Sequence, residues 1–192
     1  TAASMRAAVE CGAVDEASSD LVTVVGDADI VYLSPPVLQI VPMVKKILPY
    51  LKDGVILTDA GSTKGYIYEA LHRILPPHVY YVPGHPMTGR EKSGVEAATK
   101  DLFVGKAYVI IDDETVPQEV KEQLMALLRH TRANFTTLDL AQHDRCAAVI
   151  SHVPHLAAAA LVTLLNRSGD DLDSCLKLIG GGFKDTTRIA SS

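Results

Sequence analysis

Between residues 29 and 139, short runs rich in β-branched and aromatic residues alternate with stretches of helical periodicity, and that alternation admits few folds. The runs are DIVYLS at 29–34, GVILTD at 54–59, HVYYVP at 78–83, KAYVII at 106–111 and NFTTLD at 134–139. Helical patterns fall at 37–48, about 63–74 and 117–130. Strands separated by helix-length segments do not pair through tight turns; the crossovers make neighbours parallel and cover the sheet on both faces. The sequence therefore predicts an α/β fold with a largely parallel sheet and flanking helices. Residues 1–10 have helix-forming composition, and CGAVDEASSD then reads as a loop entering a short strand and turn.

From about Asp139 the pattern changes and becomes helical almost throughout. One long helix is expected over 139–166 and another around 170–179, before a break at Gly180, Gly181 and Gly182. Two domains are expected, 1–138 and 139–192. The apolar stretch LAAAALVTLL at 156–165 is about half a membrane span and reads as a buried helix.

Eighteen basic and 23 acidic residues give a net charge of −5, with no polybasic block. Neither a nucleic-acid backbone nor a membrane is an expected partner, and an anionic substrate must be held by local groups. Cys11, Cys146 and Cys175 are an odd set without close metal-ligand spacing, as expected of reduced thiols. No charged segment followed by an apolar one opens the chain, so a cytoplasmic location is expected, and a start at Thr1 without methionine leaves room for residues upstream.

Several residues have the chemistry for a site at the strand ends. His85 sits in a glycine-flanked segment directly after VYYVP, where an α/β sheet presents functional groups. A neutral imidazole there is suited to drawing a proton from a hydroxyl, and equally suited to capping a local carbonyl. Ser62, after GVILTD, offers a hydroxyl to the same network, but a Ser62-Thr63 pair before a helix is also a good N-cap. Lys64 reads as a helix-start residue with a solvated or structural amine. Ser34, Pro35 and Pro36 end another strand; prolines terminate a ladder and also offer a flat surface to a ring. His143, Asp144, Arg145, His152 and His155 share the long helix, which Pro154 is placed to kink. No ligand set of suitable spacing accompanies these histidines, and no metal is expected. Arg188 is either a surface arginine or a guanidinium for a carboxylate, and Glu91 and Lys92, in TGREKSG, bracket the entrance, where a carboxylate could tune His85, link to the helical domain or face water.

Four segments, TDAGSTKG at 58–65, GHPMTGREKSG at 84–94, HDRCAAVISHVPH at 143–155 and GGGFKDTTRIASS at 180–192, resemble in content and order the prephenate/arogenate dehydrogenases of tyrosine biosynthesis. The resemblance implies a Rossmann-like sheet followed by the start of an all-helical domain. It implies oxidative decarboxylation of prephenate to 4-hydroxyphenylpyruvate with hydride transfer to NAD or NADP, NAD being favoured. His85 and Ser62 become the expected catalytic pair. Arg188, His152, His155 and Thr88 become substrate contacts, with Thr88 standing where relatives often have alanine. Ser34, Pro35, Pro36, Ser62 and His155 become cofactor contacts. A homodimer is implied for the intact enzyme. No GxGxxG occurs, and the resemblance implies a loop of that kind before Thr1 and a helical domain that continues past Ser192, so a fragment lacking the glycine-rich dinucleotide loop and the C-terminal dimerisation helices is expected. Arogenate oxidation is the nearest alternative, and a catalytically inactive scaffold or regulatory partner is the alternative of another class.

Overall fold

The computed structural model describes residues 1–89 and 94–191. Glu91 and Lys92 lie outside the described residues. The chain forms two compact units, Thr1–Asp144 and Arg145–Ser192.

In the first unit β1 (Ile30–Leu33), β2 (Ile56–Asp59) and β3 (Tyr80–Tyr81) form a parallel sheet in that order. The alternation of strand side chains puts adjacent residues of β2 into different cores. Leu57 joins one with Leu33, Val55 and Tyr81, capped by Ile40, Val44 and Ile47 of α3 (Val37–Ile47) and by Ile67 and Leu71 of α4 (Gly65–His72). Ile56 joins the other with Val82, Tyr108 and Ile110, closed by Val120, Leu124 and Leu128 of α5 (Gln118–Leu128). Both β2 side chains are wholly buried, so truncating either to alanine costs about 2–5 kcal/mol. The expected α/β class is what the chain adopts.

A second sheet contains β4 (Gly84–Pro86), β5 (Ala107–Ile111) and β6 (Asn134–Leu138), with β4 antiparallel and β6 parallel to β5. The segment carrying His85, read from sequence as a loop, is thus a short strand in register with β5, His85 opposite Val109. Glycine and proline obscure a strand of this length, which here draws its order from β5. Gly84 is required by close approach: a Cβ would meet the Tyr108 ring at 3.1 Å and the Asp59 carbonyl oxygen at 3.2 Å.

The short strand expected after residue 20 is corrected too, because Leu21–Val25 forms a helix, α2, preceded by α1 (Ala2–Glu10). Asp20 accepts from the Thr23 amide at 3.2 Å and from its hydroxyl, and this cap outweighs the β-branched character of LVTVV.

The predicted long helix is interrupted. Following α6 (Leu140–Ala147), a π-turn over Ala148–His152 leads into α7 (Val153–Asn166), with Pro154 in its first turn. Pro154 lacks an amide to donate, and the wider turn lies just before it. Two further helices, α8 (Leu172–Leu178) and α9 (Gly181–Thr187), complete the second unit, with Gly181 and Gly182 inside α9.

The buried helix predicted at 156–165 is overturned: Ala158 is the one buried residue of α7, while Leu156 is 70% and Leu164 68% exposed. The unit's few short helices cannot cover so apolar a surface. The run Leu140–Asn166 is, by length and composition, long and apolar enough to cross a membrane, its most apolar 18-residue window having a mean hydropathy of 1.8.

Candidate functional site

Parallel register decides where the candidate residues emerge. Leu33 pairs with Asp59, and Leu57 with Tyr81; the Ala60 amide donates to the Leu33 carbonyl, and the Val82 amide to that of Leu57, each at 2.9 Å. Ser34–Pro36, Ala60–Thr63 and the Pro83–His85 segment therefore leave the sheet at its C-terminal edge, where open α/β sheets bind ligands.

His85 is 7% exposed. Its Nδ1 lies 2.8 Å from Nε2 of His143, the two rings meeting edge-on with centroids 5.1 Å apart. His143 is 1% exposed, and its Nδ1 lies 2.8 Å from Oδ1 of Asp144. Asp144 in turn accepts the backbone amide of Lys64 at 2.9 Å and that of Gly65 at 2.8 Å. A Cβ at residue 65 would stand 2.9 Å from Asp144 Oδ2, so glycine there lets the carboxylate approach this closely without shifting. Partial burial opposes charge on Asp144, but the two amides and His143 outweigh it and hold the carboxyl below its ordinary range.

A second carboxylate anchors the same loop from below. Asp59, wholly buried at the end of β2, takes the wholly buried Lys64 ammonium, the Tyr81 hydroxyl at 2.7 Å and the Gly61 amide at 2.9 Å. Burial pulls the Lys64 amine below its ordinary range, against the pull of Asp59, whereas burial and then Asp59 push the Tyr81 phenol well up. The lysine is thus a structural cation and not a solvated one. It is also not helped by a local cap: α4 has no side-chain N-cap from Ser62 or Thr63, and its first amides go to Asp144 instead. Ser62, half-buried, sits in a loop fixed on both sides without spending its hydroxyl on the helix.

The remaining predicted residues fall into two groups. Ser34 and Pro36 are exposed and Pro35 half-buried at the end of β1; Thr88 is half-buried, its amide donating to the Pro86 carbonyl at 2.8 Å. His152, half-buried at the end of the π-turn, His155, exposed on α7, and Arg188, exposed just after α9, belong to the second unit. A cleft of about 370 Å³ lined by Tyr68, His72, Tyr81, Asp113 and Thr115 contains none of the predicted site residues. Among the described residues, no cluster of three His, Cys, Asp or Glu side chains is arranged to hold a metal ion.

Sequence reasoning gave no role to His143, Asp144 or Asp59. Asp59 and Lys64 lie in one short motif, and a carboxylate ending an apolar strand five residues before a lysine is a readable signal of pairing. His143 offers none, because its partner is 58 residues away.

Comparison with known proteins bears on this arrangement. The family profile described as "Prephenate dehydrogenase, nucleotide-binding domain" matches residues 1–137, and "Prephenate dehydrogenase, dimerization domain" matches residues 139–192. A prephenate dehydrogenase of Bacillus subtilis (strain 168) is 35% identical over 187 residues, which make up 97% of this chain and 50% of that protein. A crystal structure of prephenate dehydrogenase from Aquifex aeolicus, in complex with hydroxyphenyl propionate and NAD+, is 34% identical with a TM-score of 0.89, over 100% of this chain and 67% of that one. Arogenate dehydrogenase of Synechocystis is 31% identical with a TM-score of 0.82, over 100% of this chain and 68% of that one. The chain spans about half the length of the curated relatives it matches first. The expectation of a fragment lacking the N-terminal glycine-rich dinucleotide loop and the C-terminal dimerisation helices is contradicted by the two profile matches, which assign residues 1–137 to the nucleotide-binding domain and 139–192 to the dimerization domain. With both profiles matched in sequence and the same fold throughout, the chain belongs to the prephenate dehydrogenase family.

Proposed function

We propose that the chain catalyses the oxidative decarboxylation of prephenate to 4-hydroxyphenylpyruvate with NAD as electron acceptor. The observation that carries this reading is His85: an imidazole held nearly out of solvent at the C-terminal edge of the sheet, with Nδ1 committed to another histidine. Hydride can leave a ring carbinol carbon only as the hydroxyl proton is drawn away, and we assign that proton to His85. Loss of the ring carboxylate as carbon dioxide then leaves its electron pair in the ring, and the proton returns to the phenolic oxygen. Ser62, in its anchored loop, orders the substrate hydroxyl beside His85. To Arg188 we assign a substrate carboxylate, which a planar guanidinium holds with two parallel bonds, and to His152, His155 and Thr88 further substrate contacts.

The residues at the strand ends suit the cofactor. Ser34 presents a hydroxyl and Pro35 a partly open ring face at the end of β1, on the edge where this class of sheet takes a dinucleotide; with Pro36, Ser62 and His155 they are the cofactor contacts of this reading. NAD, when bound, supplies the hydride acceptor. The Aquifex relative, in complex with NAD+ and hydroxyphenyl propionate, supports both the cofactor and the substrate class.

A second copy of the chain is the partner we assign to the exposed apolar face of Val149, Ile150, Val153, Leu156 and Leu164, in keeping with the dimerization-domain match. A bilayer is a poor occupant, because Leu140–Asn166 includes Asp144, committed to two backbone amides, and a π-turn. A cytoplasmic location belongs to the same reading, supported by the three free cysteines. The testing experiment follows NADH formation with prephenate and, separately, arogenate. Turnover of prephenate is expected; turnover of arogenate alone would move the assignment to arogenate, and turnover of neither would contradict the proposal.

A further inference from the structure

Beyond His85 itself, the chain of contacts behind it runs in one direction. A carboxylate has acceptors only, and Asp144 already receives the amides of Lys64 and Gly65, so the 2.8 Å contact with His143 must be donated by His143 Nδ1. The same contacts keep Asp144 ionised, against the opposing effect of its burial. A neutral imidazole has a single N–H, so with Nδ1 donating, His143 Nε2 is an acceptor. The 2.8 Å contact between the rings is then donated by His85 Nδ1.

We infer that His143 and Asp144 are positioning residues that hold neutral His85 in the tautomer protonated on Nδ1, with Nε2 as its proton-accepting nitrogen. This deepens the assignment of His85 as proton acceptor and rests on it for its catalytic meaning. When His85 takes a proton on Nε2, the imidazolium keeps donating through Nδ1 to His143, whose far nitrogen faces a carboxylate; the new charge is met without any group having to turn. Asp144 also fixes the amides that follow Ser62, so one carboxylate sets the His85 tautomer and the end of the Ser62 loop together. The opposite arrangement needs a charged His143 donating from both nitrogens, which would put the proton of His85 on Nε2 and remove the acceptor.

The test is a long-range ¹⁵N imidazole spectrum of histidine-labelled protein at mildly alkaline pH, with His85 assigned through H85N. Wild type is expected to show Nδ1 protonated and Nε2 not. H143F should lose that preference, and H143Q, whose amide oxygen can accept from His85 Nδ1, should keep it. In turnover, H143F should lower kcat about 10- to 100-fold while KM for prephenate and NAD affinity stay within about twofold, with H143Q recovering part of the loss. A wild-type spectrum with the proton on Nε2, or an H143F variant that changes neither tautomer nor kcat, would overturn the inference. The spectrum needs no substrate, so it decides the tautomer whether or not prephenate is turned over.

Discussion

Asp144 accepts the backbone amide of Lys64 at 2.9 Å across 80 residues of chain, and so caps a helix from the far end of its unit. The capping signal that sequence offers, Ser62-Thr63 ahead of α4, is bypassed. The consequence reaches chemistry, because the same carboxylate stands behind His143 and hence behind His85.

Acid should expose this tie. The folded-state pKa of Asp144 is depressed, so its contribution to stability is complete above its ordinary value of 3.8 and disappears as pH falls through the lower folded value. D144N removes that proton linkage. Urea unfolding of wild type and D144N should differ most near neutrality, with the gap narrowing once pH drops below 3.8. A gap that stays constant into acid would show that the carboxylate charge is not what holds the loop.

The Lys64–Asp59 pair should be costly to break from one side. Both groups are wholly buried, and K64M leaves the Asp59 carboxylate with only the Tyr81 hydroxyl and the Gly61 amide. We expect K64M to destabilise the protein by about 3–5 kcal/mol, and D59N combined with K64M to cost less than the two single losses added. Thermal unfolding measures both. A K64M loss below about 1 kcal/mol would mean that water reaches this pair.

Arg188 tests the substrate assignment separately from the cofactor. R188A should raise KM for prephenate at least about tenfold, the loss expected on removing a charge-assisted pair worth about 1.5–3 kcal/mol, and leave NAD affinity within about twofold. Steady-state kinetics with each substrate varied in turn would show it. Equal weakening of both would point to a role in folding.

The sheet was legible in the sequence because its strands are concentrated runs of β-branched residues, and β2 shows why: Ile56 and Leu57 each face a separate core. The two local misreadings have local causes. Leu21–Val25 has strand composition but is governed by the Asp20 cap, and Gly84–Pro86 has breaker composition but is ordered by pairing to β5. In α7, apolarity was legible and burial was not, since exposure depends on what packs against the helix. At the site, His85, Ser62 and Ser34 could be placed at one edge because parallel strands end together. The support behind them could not, because His143 and Asp144 reach it from α6 through contacts that no spacing rule encodes.

The most direct measurement is NAD-dependent turnover of prephenate by wild type and H85N, with NAD affinity determined on the same preparations. Asparagine keeps a polar side chain but cannot take the hydroxyl proton, so kcat should fall at least about a hundredfold with NAD affinity unchanged. An H85N variant with near-wild-type turnover would contradict the assignment of His85 as the proton acceptor.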